Sequence, residues 1–185
     1  MRRPGQASLL AAIAMTTAAT AAGDRGTTAL PFLLAARITE VPPFDADRIV
    51  DRRITLSVIL DRAPVCGAGR AASSFAFLID ADRSTATGAV RDDSVELGVD
   101  WEIPIWCDVT AGRFSSELGD VEVGPSPDGD HEYLLSVTTR AGRLPSLEFD
   151  WIATARHDGR LSRVPAAGGA ASWRVLERWT GVPRE

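Results

Sequence analysis

The chain has 185 residues, 45% of them hydrophobic and 24% charged, with a formal net charge of -5 at pH 7. That length and apolar content suffice for one domain with its own core. The acidic balance argues against a phosphate-backbone interface, which needs a basic face, so nucleic acid is not an expected partner.

The chain opens with "MRRPGQASLLAAIAMTTAATAAG". Arg2 and Arg3 form a basic start, Leu9 to Met15 a short apolar core, and small residues follow. This layout predicts a secretory signal peptide over residues 1–22. The apolar run is too short, and too diluted with threonine, for a spanning helix, so the mature chain is expected to lack a membrane span. Loss of the two leader arginines would move the net charge from -5 to about -7. Residues 23–36 read as a flexible start, and 37–185 as one exported β-domain, in periplasm, at the cell surface or in the medium. Export favours disulfides, so the even pair Cys66 and Cys107 predicts one bridge.

Short period-two segments follow. "LAARITEV" and "RITLSVIL" come first; the second puts Ile54, Leu56, Val58 and Leu60 on one face. "SSFAFLID" is apolar on both faces, as a central strand would be. "SVELGVDWEI" alternates strictly, with Val95, Leu97, Val99, Trp101 and Ile103 on one side. "EYLLSVTT", "LEFDWIATA" and "SWRVLERW" complete the set. Turn clusters such as "GPSPDGD" and "RHDGR" separate them, and a short helical turn is expected around Arg140 to Leu144. Regularly spaced strands with Gly/Pro turns predict an all-β fold, an antiparallel two-sheet sandwich of jelly-roll type with about eight strands.

One strand ends in an unusual way. Asp80 and Asp82 stand directly after the apolar run, followed by Ser84, Thr85, Thr87 and Gly88. Two carboxylates at i, i+2 with hydroxyls and backbone carbonyls nearby are the mixed oxygen set that Ca²⁺ takes. Asp100 can approach from the far side of the loop. The competing expectation is that Asp80 and Asp82 only cap turns by accepting backbone N–H bonds.

The runs "FLIDADRSTATG" and "LGVDWEI" resemble a recurring module of exported bacterial proteins, whose signature is an apolar strand, D-x-D, T-G and later L-G-x-D before an aromatic residue. That module is similar in turn to DOMON-like and family-nine-like carbohydrate-binding domains. The resemblance implies a β-sandwich, usually non-catalytic, with a cation site on Asp80, Asp82 and Asp100, and a polysaccharide or cell-envelope ligand as partner. Two features depart from it. Arg83 and Ser84 stand where relatives have asparagine or aspartate, and Ser162 and Arg163 where they have an acid. Arg83 puts a positive charge beside the proposed cation.

Other chemistry is thinly signalled. Glu96, Asp100 and Glu102 share one strand face at about 7 Å spacing, which allows a small secreted hydrolase as the alternative function. The expected reading of that row is a solvated face. His131 and His157 sit in turn-like segments and read as surface-loop histidines; neither pairs with a cysteine at zinc-ligand spacing. Trp106, in "PIWCD", is the candidate for stacking on a sugar ring. The combined expectation is a secreted, non-catalytic binding or structural module with Ca²⁺ at the D-x-D loop.

Overall fold

Alternation of apolar and polar residues yields an all-β chain in this computed structural model, which describes residues 17–20 (backbone only), 32–41, 48–69, 72–90, 97–127, 132–165 and 169–174. The described residues form eleven strands: β1 (Thr17–Thr20), β2 (Leu33–Val41), β3 (Arg53–Leu60), β4 (Ser74–Asp80), β5 (Trp101–Asp108), β6 (Arg113–Ser116), β7 (Gly119–Pro125), β8 (Tyr133–Arg140), β9 (Glu148–His157), β10 (Arg160–Val164) and β11 (Ala171–Arg174). Of the predicted leader, only Thr17–Thr20 lies within the described residues; it pairs with β2, Thr17 opposite Ile38. No helix among the described residues is long and apolar enough to cross a membrane.

All pairings are antiparallel, in the order β1-β2-β3-β8-β7-β6-β5-β4-β9-β10. The outer edge of β9 is shared, with β10 on Ala153–His157 and β11 on Glu148–Trp151. This differs from an eight-stranded pair of separate sheets. The short strands β6 and β7 join the half built on β3 and β8 to the half built on β4 and β9, and β2 comes to lie against β10. The array is therefore closer to a barrel than to the expected jelly roll.

The expected alternation places the core. Ile54, Leu56, Val58 and Leu60 of β3 are all fully buried, facing Phe75, Phe77, Ile103, Phe149 and Trp151 from the other half. Burial of each such side chain is worth about 1.5–3 kcal/mol as an upper estimate. β4 is apolar on both faces because it is covered on both. Phe75, Phe77 and Ile79 point into the main core, while Ala76 and Leu78 meet Leu97, Val99 and Ile152 in a second, outer cluster.

That second cluster corrects the strand predicted from Ser94 to Ile103. Val95 lies outside the described residues. Leu97 and Val99 pack on the outer face, whereas Ile103 and Ile105 point into the main core. The chain passes from one face to the other at Asp100, whose N–H bonds to Ile79 O at 2.9 Å, and the regular strand begins only at Trp101. Asp158 and Gly159 join β9 to β10 with φ of 51° and 73°, the two positive values a tight hairpin turn of this hand needs. A 3-10 turn at Ala141–Arg143 falls where a helical turn is expected.

The connection from β3 to β4 crosses between the two halves, and three contacts hold it. Cys66 and Cys107 form a disulfide with Cα atoms 5.0 Å apart. Ser73 Oγ accepts the Val65 N–H at 3.0 Å and lies 2.9 Å from His157 Nδ1. The His157 ring stacks on Phe32 with centroids 4.3 Å apart. His157 is thus not the surface-loop histidine its sequence context suggests; it ends β9 and fastens the crossover. The bridge spans 41 residues, so the chain-entropy relation gives about 4 kcal/mol of stabilisation. Replacing both cysteines by serine (Cys66→Ser, Cys107→Ser) is expected to lower the urea-unfolding free energy by about that amount. A loss below about 1 kcal/mol would show that the crossover is held without it.

Candidate metal site

β4 delivers Asp80 to its own end on the outer face, in the same row as Ala76 and Leu78. The chain then turns back. Arg83 takes a left-handed φ of 58°, and the Ser84 N–H, 3.0 Å from each, donates to both Asp80 Oδ1 and Asp82 Oδ1. The Thr87 hydroxyl closes the loop, 2.7 Å from Asp82 Oδ2. The returning segment brings Asp100 back, and its Oδ2 accepts the N–H groups of Ala81 at 2.9 Å and Asp82 at 3.3 Å.

Two glycines allow that return. A Cβ on Gly98 would stand 2.2 Å from Thr87 O and 2.3 Å from Ser84 O. Gly88 has a φ of 75°, and its Cβ would stand 2.7 Å from the Gly98 carbonyl carbon. Ala89 and Val99 then exchange backbone hydrogen bonds in both directions, at 2.8 and 3.2 Å. Thr87, Gly88, Leu97, Gly98 and Asp100 therefore all serve one closure. A side chain at Gly98 must push backbone apart.

The result is that one oxygen from each of Asp80, Asp82 and Asp100 lies within 4.8 Å of the others. Two oxygens bound to one Ca²⁺ at about 2.3–2.6 Å can be at most about 5.2 Å apart, so the spacing fits a shared ion. Asp80 is 2% exposed; Asp82 and Asp100 are exposed. The triad can hold a metal ion, with the buried Asp80 at its base and the other two carboxyls open to water.

The electrostatics are those of like charges held together. Burial pushes the Asp80 carboxyl above its ordinary range against the Ser84 N–H that pulls it down, and the neighbouring Asp82 carboxyl pushes it further up. Asp82 moves the other way, held low chiefly by the Thr87 hydroxyl and also by the Ser84 N–H. Arg83 does not neutralise the triad. Its guanidinium reaches Glu148 at 2.6 Å and Asp150 at 3.3 Å. Arg174 binds the other Glu148 oxygen at 2.6 Å, and Arg174 first, with Arg83, holds the Glu148 carboxyl low.

Of the other predicted site residues, Trp106 is 43% exposed on the outer face of β5. Six residues along an extended chain separate it from Asp100, about 20 Å, so the two do not make one site. Glu102 is exposed on β5, Asp100 is turned into the loop, and Glu96 lies outside the described residues, as does His131. Ser73 and His157 are in contact, but Ser73 is 2% exposed and its hydroxyl also accepts a backbone N–H, so the pair fastens the crossover. The glycines stand in the T-G and L-G-x-D runs of the sequence, whereas the ties of Arg83 and Arg174 to Glu148 carry no signal of their own there. Comparison with protein families, with curated proteins and with solved structures returns no match.

Gly98→Ala is expected to cost about 1–3 kcal/mol in urea unfolding, as overpacking does, and a change near zero would mean the two loop segments can part freely. The pH response has a definite sign. Asp80 is raised, so its contribution is complete below the unfolded value and is lost as pH rises through the folded one; Asp82 is depressed and contributes above its unfolded value until acid protonates it. In chelator, the urea-unfolding free energy of the wild type should therefore fall relative to Asp80→Asn between about pH 3 and pH 7. A difference that stays constant across that range would contradict the assignment.

Proposed function

We propose that this protein is an exported, non-catalytic binding or structural module in which Asp80, Asp82 and Asp100 hold a Ca²⁺ ion that pins the loop between β4 and β5. The observation that carries the reading is the convergence of one oxygen from each carboxyl within 4.8 Å, on a loop whose two glycines let its backbone segments touch. A buried carboxylate beside two like charges is relieved by a proton or a cation, and at neutral pH a hard cation with oxygen ligands meets that need. Backbone carbonyls and water would complete the six to eight ligands. The disulfide and the signal-peptide layout of residues 1–22 support export. The resemblance of "FLIDADRSTATG" and "LGVDWEI" to DOMON-like and family-nine-like modules supports a binding role, and the exposed Trp106 offers a flat face for a polysaccharide or cell-envelope ligand.

Extracellular calcium modules bind with dissociation constants of about 10⁻⁴–10⁻³ M. At about 5 mM Ca²⁺ that corresponds to about 1–2 kcal/mol of linkage stabilisation. The melting temperature should then rise by about 2–8 °C over chelator. Asp80→Ala with Asp82→Ala should erase the difference. Superimposed wild-type melting curves with and without Ca²⁺ would remove the cation from this reading.

A further inference from the structure

The seam between the two halves of the array is open. β6 and β7 form a hairpin that pairs at only two positions, Ser115 with Asp120 and Ser116 with Gly119. Beyond them β6 stays with β5 and β7 stays with β8, whose register continues from Val121 to Pro125. The fork between them is a cleft of about 420 Å³ lined by Arg113, Phe114, Ser115 and Val121 among others. Among the described residues, β7 has a ladder partner on one side only along Val121–Pro125.

The side chains of this edge have a pattern. Val121 and Val123 share the inward row with Val137 and Leu135 of β8, yet Val123 is 44% exposed, because none of the described strands covers it from the β6 side. Asp120 and Glu122 alternate with them, both exposed, and among the described residues neither carboxylate meets an arginine at ion-pair distance. Asp120 continues the outer row Trp106–Ser115–Asp120. A second copy of β7 laid antiparallel in the register that sets Glu122 opposite itself would place acid against acid, which is destabilising. A strand that alternates β-branched with basic residues would instead place valines beside Val121 and Val123 and a cation beside Glu122, with Asp120 next along the same outer row at the point where β6 pairs it.

We propose that the open edge of β7 accepts an extended peptide segment of another protein, with alternating apolar and basic residues, by strand addition at the fork between β6 and β7. Five residues of edge, about 17 Å, set the length of the segment. The main-chain bonds supply affinity, and the valine and carboxylate rows supply the choice of partner.

The test uses the full chain, isotope-labelled, titrated with an acetylated and amidated Lys-Val-Lys-Val-Lys peptide and with its Glu-Val-Glu-Val-Glu counterpart. Saturable amide shifts and slowed hydrogen exchange are expected at Val121–Gly124 and Arg113–Phe114 with the basic peptide alone. Reversing both carboxylates (Asp120→Lys, Glu122→Lys) should weaken the basic peptide by roughly tenfold and give the acidic peptide the advantage. These exposed positions should leave the unfolding free energy nearly unchanged, so a lost response is not lost folding. Equal response to both peptides, shifts confined to other surfaces, or edge protection that grows with protein concentration without peptide would each overturn the proposal.

Discussion

The return of residues 97–100 across the outer face of β4 is the constraint on which the rest depends. Leu97 and Val99 leave water against Ala76, Leu78 and Ile152, and that burial draws the segment down. Gly88 and Gly98 let the backbones touch. Asp100 can then satisfy two backbone N–H groups of the D-x-D turn, and the same geometry brings its carboxyl to Asp80 and Asp82. Three acids meet because an apolar patch and two missing side chains put them there. The electrostatic cost of that meeting is what makes a bound cation the natural complement.

The two ends of the array are closed by different means. At one, the crossover from β3 to β4 is fixed covalently and by the Ser73–His157 contact; at the other, the acidic loop folds over β4. β4 runs from Ser74 to Asp80 between them, so a cation at the loop and a disulfide at the crossover would brace opposite ends of one central strand. The surface ties of Arg83 and Arg174 to Glu148 add little stability of their own, since exposed ion pairs rarely do. Their consequence is positional. They draw the one guanidinium inside the D-x-D loop toward β9 and leave the triad negative.

Much of this was legible in the residues. "RITLSVIL" coincides with β3 because strict alternation and a polar start leave no other register. The turn cluster "RHDGR" coincides with the Asp158-Gly159 turn, whose two positive φ values suit those residues. The D-x-D spacing pointed to the acids that converge. What failed was non-local. β6, β7 and β10 are four to seven residues long and carry few apolar side chains, so their signal is weak, yet they decide that the halves join. The segment ending at Ile103 kept its parity while changing the face it packs against, a switch that periodicity does not register. His157 looked like a loop residue because its neighbours are turn formers; only the fold brings Ser73 and Phe32 to it.

The central claim is that the Asp80, Asp82 and Asp100 carboxyls share a cation. A crystal structure of the full chain grown with millimolar Ca²⁺ tests it most directly. The expected result is one ion with oxygens of all three residues about 2.3–2.6 Å away. Density showing the carboxyls joined only by hydrogen bonds, or turned apart into water with no ion between them, would contradict it.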